Sequence, residues 1–499
     1  MSYIIRQKIK GRIYLYEVTA TWDPIRKNSV QKRRYLGAED KKTKSAKPKK
    51  SYAPKTALDY GNYYLFRSVA EKIGLSKCLK IAMPKEDWED ILNLAIFKLT
   101  SSFNFNNYEN WCELNLVKNT LSSSDISRVL EKIEQYKIPL IKEWSKLNPE
   151  KKVVYFDLTS VSTYSHIDYA EWGYNRDKES LPQINLGIIY AEESQYPITY
   201  SFYSGSISDV KTLANILQST LELGIKQVIF ILDCGFYSQN NLEEMRAKGF
   251  KFIVRMRPDL KMYKNLISQF TLSSAQTFGL NKSSYYYKKV AIKIGCADVT
   301  AHIYHDNSRY QDELNSFLNK LTEIEDLVIS KKLISTKAIE SILTEYGCSQ
   351  FFTLNKNKKL SRNEKEMNSH ISTLGKFILL TENHLIESKN ILENYRKRDC
   401  SEKGFAGFKN SIGTSRLRTQ NNNTTLGSIF ISFISLILYS FAIKSLKNSK
   451  LYLPHVISSL NTLRVFKLND NKFILGEISK KNKTIFNLFN VKVPTDPCY

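Results

Sequence analysis

KKVVYFDLTSVSTY, residues 151–164, runs through four consecutive apolar residues, Val153 to Phe156, and then turns polar at Asp157. A short run rich in β-branched and aromatic residues reads as a strand. LPQINLGIIYA (181–191) and YPITYSFYSG (196–205) follow as two more strands in hairpin-like succession, and SDVKTLANILQSTLEL (208–223) changes to a helical period. KQVIFILDCGF (226–236) is a continuous apolar strand of the kind buried in parallel sheets, with Asp233 at its end. Strand, strand, strand, helix, strand makes this an α/β protein, with acids after the first and fourth strands.

A third acid comes from a helix. Tyr395, Arg398, Glu402 and Lys409 in YRKRDCSEKGFAGFK (395–409) lie at offsets of 0, 3, 7 and 14, which at roughly 100° per residue puts them inside about a 60° arc. One acid among two cations and an aromatic is a pattern for a metal-dependent site acting on a nucleic-acid backbone. Asp399 lies beside Glu402, and on charge alone either acid could point inward; the spacing favours Glu402. The spacing Y-x2-R-x3-E-x6-K resembles the signature of the DDE transposases of bacterial insertion sequences, in the insertion-sequence-four family. YFDLTS (155–160) and ILDCGFYSQNNL (231–242) match its first and second blocks, and the helical stretches DYGNYYLFRSVAEKIGL and NYENWCE are similar to its branch with a long helical N-terminal part.

The resemblance implies a ribonuclease H-like catalytic core, in which the strands before Asp157 and Asp233 lie side by side. It also implies two Mg2+ ions, for which Mn2+ can substitute, with Asp157 bridging both and Asp233 and Glu402 each holding one. Two divalent ions about 4 Å apart suit phosphodiester chemistry, because they serve the attacking and leaving oxygens together, and Mg2+ prefers oxygen ligands. Tyr395, Arg398 and Lys409 would then be DNA-binding, Arg398 and Lys409 through phosphates and Tyr395 by stacking on a base or reaching a phosphate. The implied activity is transposition: binding terminal inverted repeats, pairing the ends as a homodimer, nicking them and transferring 3′ hydroxyls to target DNA. A nuclease on the same core and a catalytically inactive DNA-binding repressor remain open alternatives.

Composition points the same way independently. The 499 residues carry a net charge of +25, and residues 1–50 hold 15 Lys/Arg against 4 Asp/Glu, so a polyanion is the expected partner. Double-stranded DNA fits better than an anionic membrane, because that segment has no long apolar stretch. The seven cysteines are scattered without C-x2-C pairs or zinc spacing and read as reduced thiols. The N-terminus has no apolar signal-like segment, and a cytoplasmic protein acting on nucleoid DNA is expected. LGSIFISFISLILYSFAI (426–443) is uncharged over 18 residues, at the lower edge of a membrane span. Ser428, Ser432 and Ser435 recur at helical spacing within it, favouring a buried core helix.

The expected order is a basic β-hairpin unit and linker (1–50), a helical DNA-binding module (51–149), the catalytic core (150–415) and a C-terminal helical and closing region (416–499). The 169 positions from Asp233 to Glu402 exceed what one helix and a strand or two require, so an inserted domain is expected over 258–374. Asp209 reads as a helix cap or turn acid, and Asp168, Asp177 and Glu179 as solvated loop acids. His302 and His305 do not have metal-site spacing on a strand. Gly404 and Gly407, each costing about 1 kcal/mol in a helix interior, imply close approach of core or DNA, or a bent helix.

Overall fold

The computed structural model describes residues 2–23, 27–39, 54–84, 87–101, 104–117, 119–147, 153–225, 228–281, 283–330, 335–354, 360–382, 386–419, 421–468 and 472–497. Residues 40–50 of the expected basic unit and linker lie outside these, as does Cys498. Two compact units divide the chain: residues 1–58, 464–477 and 494–499 form one, and residues 59–463 and 478–493 the other.

Among the described residues, the regular structure of the smaller unit is all β. Strands Ser2–Ile9, Arg12–Asp23 and Asn28–Ala38 form an antiparallel sheet in that order, one strand more than the expected hairpin. Its first turn falls at Lys10 and Gly11, both with positive φ (46° and 79°). That is the backbone of a two-residue hairpin turn, which Gly adopts freely. A second small sheet joins Pro54–Asp59 to Arg464–Leu468 and Phe473–Leu475. Part of the expected closing region thus pairs with the N-terminal segment, a partnership between distant stretches that no local pattern encodes.

The larger unit is built on a mixed sheet whose core strands are β1 (Val153–Thr163), β2 (Gln183–Ala191), β3 (Pro197–Ser204), β4 (Ile229–Leu232) and β5 (Lys251–Arg255). Helix α1 (Asp209–Glu222) crosses from β3 to β4, and α2 (Gln239–Ala247) from β4 to β5. The spatial order is β3-β2-β1-β4-β5: the first three pair antiparallel, and β4 and β5 run parallel to β1. This is the order of a ribonuclease H-like sheet. Val154, Phe156, Phe230, Leu232, Phe252 and Val254 pack with Leu213, Leu217, Leu242 and Met245 of α1 and α2 into one core. Burial on this scale, at about 25 cal/mol per Å2 of apolar surface, is what fixes the register of the central strands.

The stretch expected as an insertion divides in two. Strands β6 (Gln276–Leu280), β7 (Ser283–Ile294) and β8 (Ala297–Asp306) extend the main sheet, joined to β5 through β9 (Lys376–Thr381). Only helices α3 (Asn307–Ser330), α4 (Thr336–Glu345) and α5 (Glu364–Ile371), with short strands between the last two, build a separate apolar cluster around Phe317, Leu321, Ile324, Ile339, Leu343 and Phe351. Strands β6–β8 join the sheet because β9 has a free edge beyond β5 that a neighbouring strand can pair.

Beyond β9 the chain forms α6 (Ser388–Arg396), α7 (Asp399–Ala406), a two-residue strand at Arg416–Leu417 paired with β1, and α8 (Asn422–Leu446). Helix α8 contains the long uncharged stretch, and 83% of its most apolar window is buried within the protein. It packs on helices Asp87–Thr100 and Ser123–Lys132 and on β3. Ser435 donates to the carbonyl of Ala95 at 3.0 Å, and a Cβ on Gly427 would lie 2.1 Å from the carbonyl oxygen of Leu130. The serine stripe therefore faces protein, as expected of a core helix.

Candidate active site

Asp157 sits in the middle of β1. The β1–β4 register pairs Tyr155 with Ile231, so two residues further along Asp157 comes beside Asp233. Asp157 Oδ1 accepts from the Leu158 N–H at 2.9 Å, and Asp233 Oδ1 from the Cys234 N–H at 2.7 Å as the chain leaves β4 in a tight turn. Phe156 packs on Phe236 at 5.1 Å between ring centres, fixing the strand end to that turn.

The signature residues approach from α6 and α7. Helix α6 is anchored on β8: His302 Nδ1 and Ser388 Oγ lie 2.9 Å apart, Tyr304 Oη donates to the Ser388 carbonyl at 2.8 Å, and Arg396 pairs with Asp306 at 2.7 Å. The two histidines thus belong to the buried framework; His302 holds the start of α6.

The expected single helix face is broken. Helix α6 ends at Arg396, α7 starts at Asp399, and residues 407–411 form a π turn. A π turn adds a residue to the helical repeat and rotates the side chains beyond it. Tyr395, Arg398 and Glu402 stay together at the two strand-end aspartates, whereas Lys409 pairs with Asp177. The glycines explain the bend. A Cβ on Gly404 would lie 2.1 Å from Tyr190 Oη, and one on Gly407 would lie 2.1 Å from a ring carbon of Tyr439, so the core presses directly on the helix backbone.

At the centre of the group is the Arg398 guanidinium, its side chain only 12% exposed. It reaches Asp157 Oδ2 at 3.2 Å, Asp233 Oδ2 at 3.7 Å and Glu402 Oε1 at 2.7 Å. Exposure rises across the three carboxylates, from 17% at Asp157 to 37% at Asp233 and 56% at Glu402. The centre therefore opens from a desolvated floor to a wet rim. Burial pushes the Asp157 carboxyl up to about 6, with Asp233 adding to the rise and Arg398 opposing it. Burial works against the charge of Arg398, but Asp157 and Asp233 more than offset it and raise its proton affinity. Tyr395 Oη donates to Asp233 Oδ1 at 3.2 Å, and burial together with that carboxylate raises its hydroxyl. Asp399 pairs instead with Lys403 on the exposed side, so of the two adjacent acids it is Glu402 that joins the cluster.

Oxygen donors from three carboxylates suit a hard divalent ion in chemistry. In spacing they do not, while Arg398 stands among them: among the described residues no group of three or more His, Cys, Asp or Glu is placed to hold an ion.

The loop between β1 and β2 contributes ion pairs that the sequence pattern did not reveal. Arg176 pairs with Asp209 at 2.6 Å, Asp177 with Lys409, and Glu179 with Arg416 at 2.6 Å. Asp209 lies in the first turn of α1, as expected, and is also an ion-pair partner; Asp177 is exposed, as expected, yet paired, and Glu179 is a half-buried partner where a solvated acid was expected. The alternation of charges in NRDKE (175–179) was the available signal; its partners lie more than 200 positions away for Asp177 and Glu179.

The family described as Transposase DDE domain matches residues 148–438, which take in the whole sheet, the three carboxylates and most of α8. No curated protein matches the chain. Among solved structures, the chain is similar to the cryo-EM structure of a piggyBac transposase synaptic complex with hairpin DNA, at 10% identity and a TM-score of 0.35, covering 86% of this chain and 79% of that one. A likeness at that level carries no residue over. The family match spans more than half of the 499 residues, and the chain belongs to the DDE-domain transposases.

Proposed function

We propose that Asp157, Asp233 and Glu402 are the catalytic carboxylates of a DNA transposase of the insertion-sequence-four type, which binds terminal inverted repeats, pairs them as a homodimer, nicks them and transfers the 3′ hydroxyls to target DNA. The observation that carries this reading is the convergence of three acids, from segments 76 and 169 residues apart, on a single positive group. Like charges gathered at a partly buried point are costly unless a cation is held there. Two Mg2+ ions, or Mn2+ in their place, are the ions these carboxylates would hold, and when bound they would supply charge neutralisation at phosphorus and an activated water.

The chain's own residues do the rest. Tyr395 holds Asp233 in orientation through its hydroxyl, Arg398, once metal ions take its place among the carboxylates, would offer a planar donor fork to a phosphate, and Lys409 lies on the next helical turns with its charge shared by Asp177. The basic N-terminal segment adds sequence-independent grip. We place the protein in the cytoplasm with the DNA it acts on, and take α3–α5 as the insertion within the core.

The test is incubation of purified protein and Mg2+ with linear DNA bearing the repeats that flank the gene, resolved on denaturing gels. Strand breaks at the repeat ends, and joined products with a second DNA, are expected. Breaks without joining would favour the nuclease, and end binding without breaks the repressor.

A further inference from the structure

The loop between β1 and β2 combines a fixed backbone with unburied rings. Glu171 makes a two-way backbone bridge with Gln183 at 3.0 and 3.1 Å. The backbone at Gly173 lies so near the sheet that a Cβ there would stand 2.0 Å from the Gly205 carbonyl oxygen. The Tyr174 carbonyl accepts from Gln183 Nε2 at 2.9 Å, Asn175 Nδ2 donates to Ser162 Oγ at 3.1 Å, and Arg176 is held by Asp209. Residues 171 and 173–176 are thus tied to the sheet or to α1. Yet Trp172 is 67% exposed and Tyr174 83% exposed.

Ordering a backbone costs about 1–2 kcal/mol per residue, and large aromatics ordinarily return that by burial. Here the rings are held in place without being buried. Three of the charges around them are engaged elsewhere, Arg176 with Asp209, Asp177 with Lys409 and Glu179 with Arg416, so beside the exposed Lys178 it is flat apolar faces that the segment presents outward. The location is equally specific. Ser160, whose hydroxyl reaches the Tyr174 carbonyl at 3.4 Å, lies three residues beyond Asp157 on β1, and Arg176 is near enough to lower the proton affinity of Asp157.

We propose that Trp172 and Tyr174 form a stacking platform for unpaired bases of the DNA strand engaged at the carboxylate centre. This rests on the transposase reading and adds to it the feature recognised: a strand end whose bases are out of the duplex. Stacking suits the site because every base has an apolar face and no particular sequence is needed.

The experiment compares two DNAs of one sequence from the flanking repeats, one fully paired and one with a three-nucleotide unpaired 3′ extension containing 2-aminopurine. Full-length protein is used at fixed salt with metal chelated, so that no cleavage occurs. The wild type is expected to bind the extended DNA more tightly and to quench its 2-aminopurine fluorescence. Trp172→Ala and Tyr174→Ala should each lose roughly tenfold in affinity for the extended DNA, within the range of about 1–3 kcal/mol per stacked base, and leave the paired DNA unaffected. Tyr174→Phe, which keeps the ring, should behave as wild type. Both side chains are exposed, so the alanine variants should melt with the wild type, which a scan verifies alongside. Equal affinities for the two DNAs in all proteins would overturn the platform and leave the transposase reading standing. Equal losses on both DNAs would likewise overturn it, by showing a backbone contact. A wild type that binds neither DNA would refute both readings.

Discussion

Asp157→Asn separates the cost of the catalytic centre from its use. The carboxyl is 17% exposed and its pKa is raised from 3.8 to about 6. At ~1.4 kcal/mol for each tenfold change in proton affinity, that rise corresponds to about 3 kcal/mol of lost stability. The sign comes from linkage. Below pH 4 the group is protonated in both the folded and unfolded chain and nothing is lost. As pH rises from about 4 to 6 the unfolded chain gives up its proton first and folding is penalised; above 6 the full cost is present. The attraction of Arg398 is already contained in the raised value. Asparagine retains the acceptor for the Leu158 N–H, bonded at 2.9 Å in the native protein, and removes the charge. In chelated, metal-free buffer, Asp157→Asn should therefore be more stable than wild type by up to about 3 kcal/mol at pH 8 and by clearly less at pH 5, while nicking is abolished. Urea unfolding followed by circular dichroism at the two pH values measures it, beside the gel assay. A variant less stable than wild type at pH 8 would show that the Asp157–Arg398 pair is a structural asset, and the view of a centre kept at a cost in stability would be wrong.

Three further outcomes concern other parts of the larger unit. Arg398→Gln removes the cation that occupies the carboxylate centre and should raise Mn2+ affinity without DNA by roughly tenfold, a typical coupling for two cations competing for one place; calorimetric titration giving equal affinities would mean that the guanidinium does not exclude the ion. Lys98 is 3% exposed, with its ammonium 5.2 Å from the centre of the Phe105 ring, and burial lowers its pKa to about 8. Because the unfolded chain holds that proton to a higher pH, about 3 kcal/mol is lost below pH 8 and recovered as pH climbs toward 10.5, so Lys98→Met should stabilise at pH 7 and flatten this rise in urea unfolding. Gly404→Ala would place a methyl 2.1 Å from Tyr190 Oη and should cost about 1–3 kcal/mol by overpacking, with nicking reduced more than DNA binding because α7 carries Glu402; a thermal scan matching wild type would show that the helix shifts freely.

The core was legible in the sequence because each strand announces itself locally. VVYF before Asp157 and VIFIL before Asp233 are apolar runs whose only economical place is a buried sheet, and their adjacency is a consequence of the parallel pairing of β1 with β4. Glu402 was distinguishable from Asp399 by spacing, and the structure turns Asp399 toward Lys403. Three things were not legible. The break of the signature helix depends on Tyr190 and Tyr439 pressing on Gly404 and Gly407, contacts between segments far apart in sequence. The pairing of Lys409 with Asp177 depends on where a loop 232 residues upstream folds back. Strands β6–β8 extend the main sheet where a separate inserted domain was expected, because periodicity says nothing of which edge a strand will join.

The most direct measurement of the central claim is a single-turnover cleavage series on DNA carrying the flanking repeats in Mg2+, comparing wild type with Asp233→Asn, Glu402→Gln and Asp399→Asn, each verified by equal binding to the uncleaved DNA. Three carboxylates converging on one centre predict that Asp233→Asn and Glu402→Gln bind the ends and leave them intact, while Asp399→Asn cuts at close to the wild-type rate. Cleavage by Glu402→Gln at the wild-type rate, or loss of cleavage in Asp399→Asn alone, would contradict the assignment.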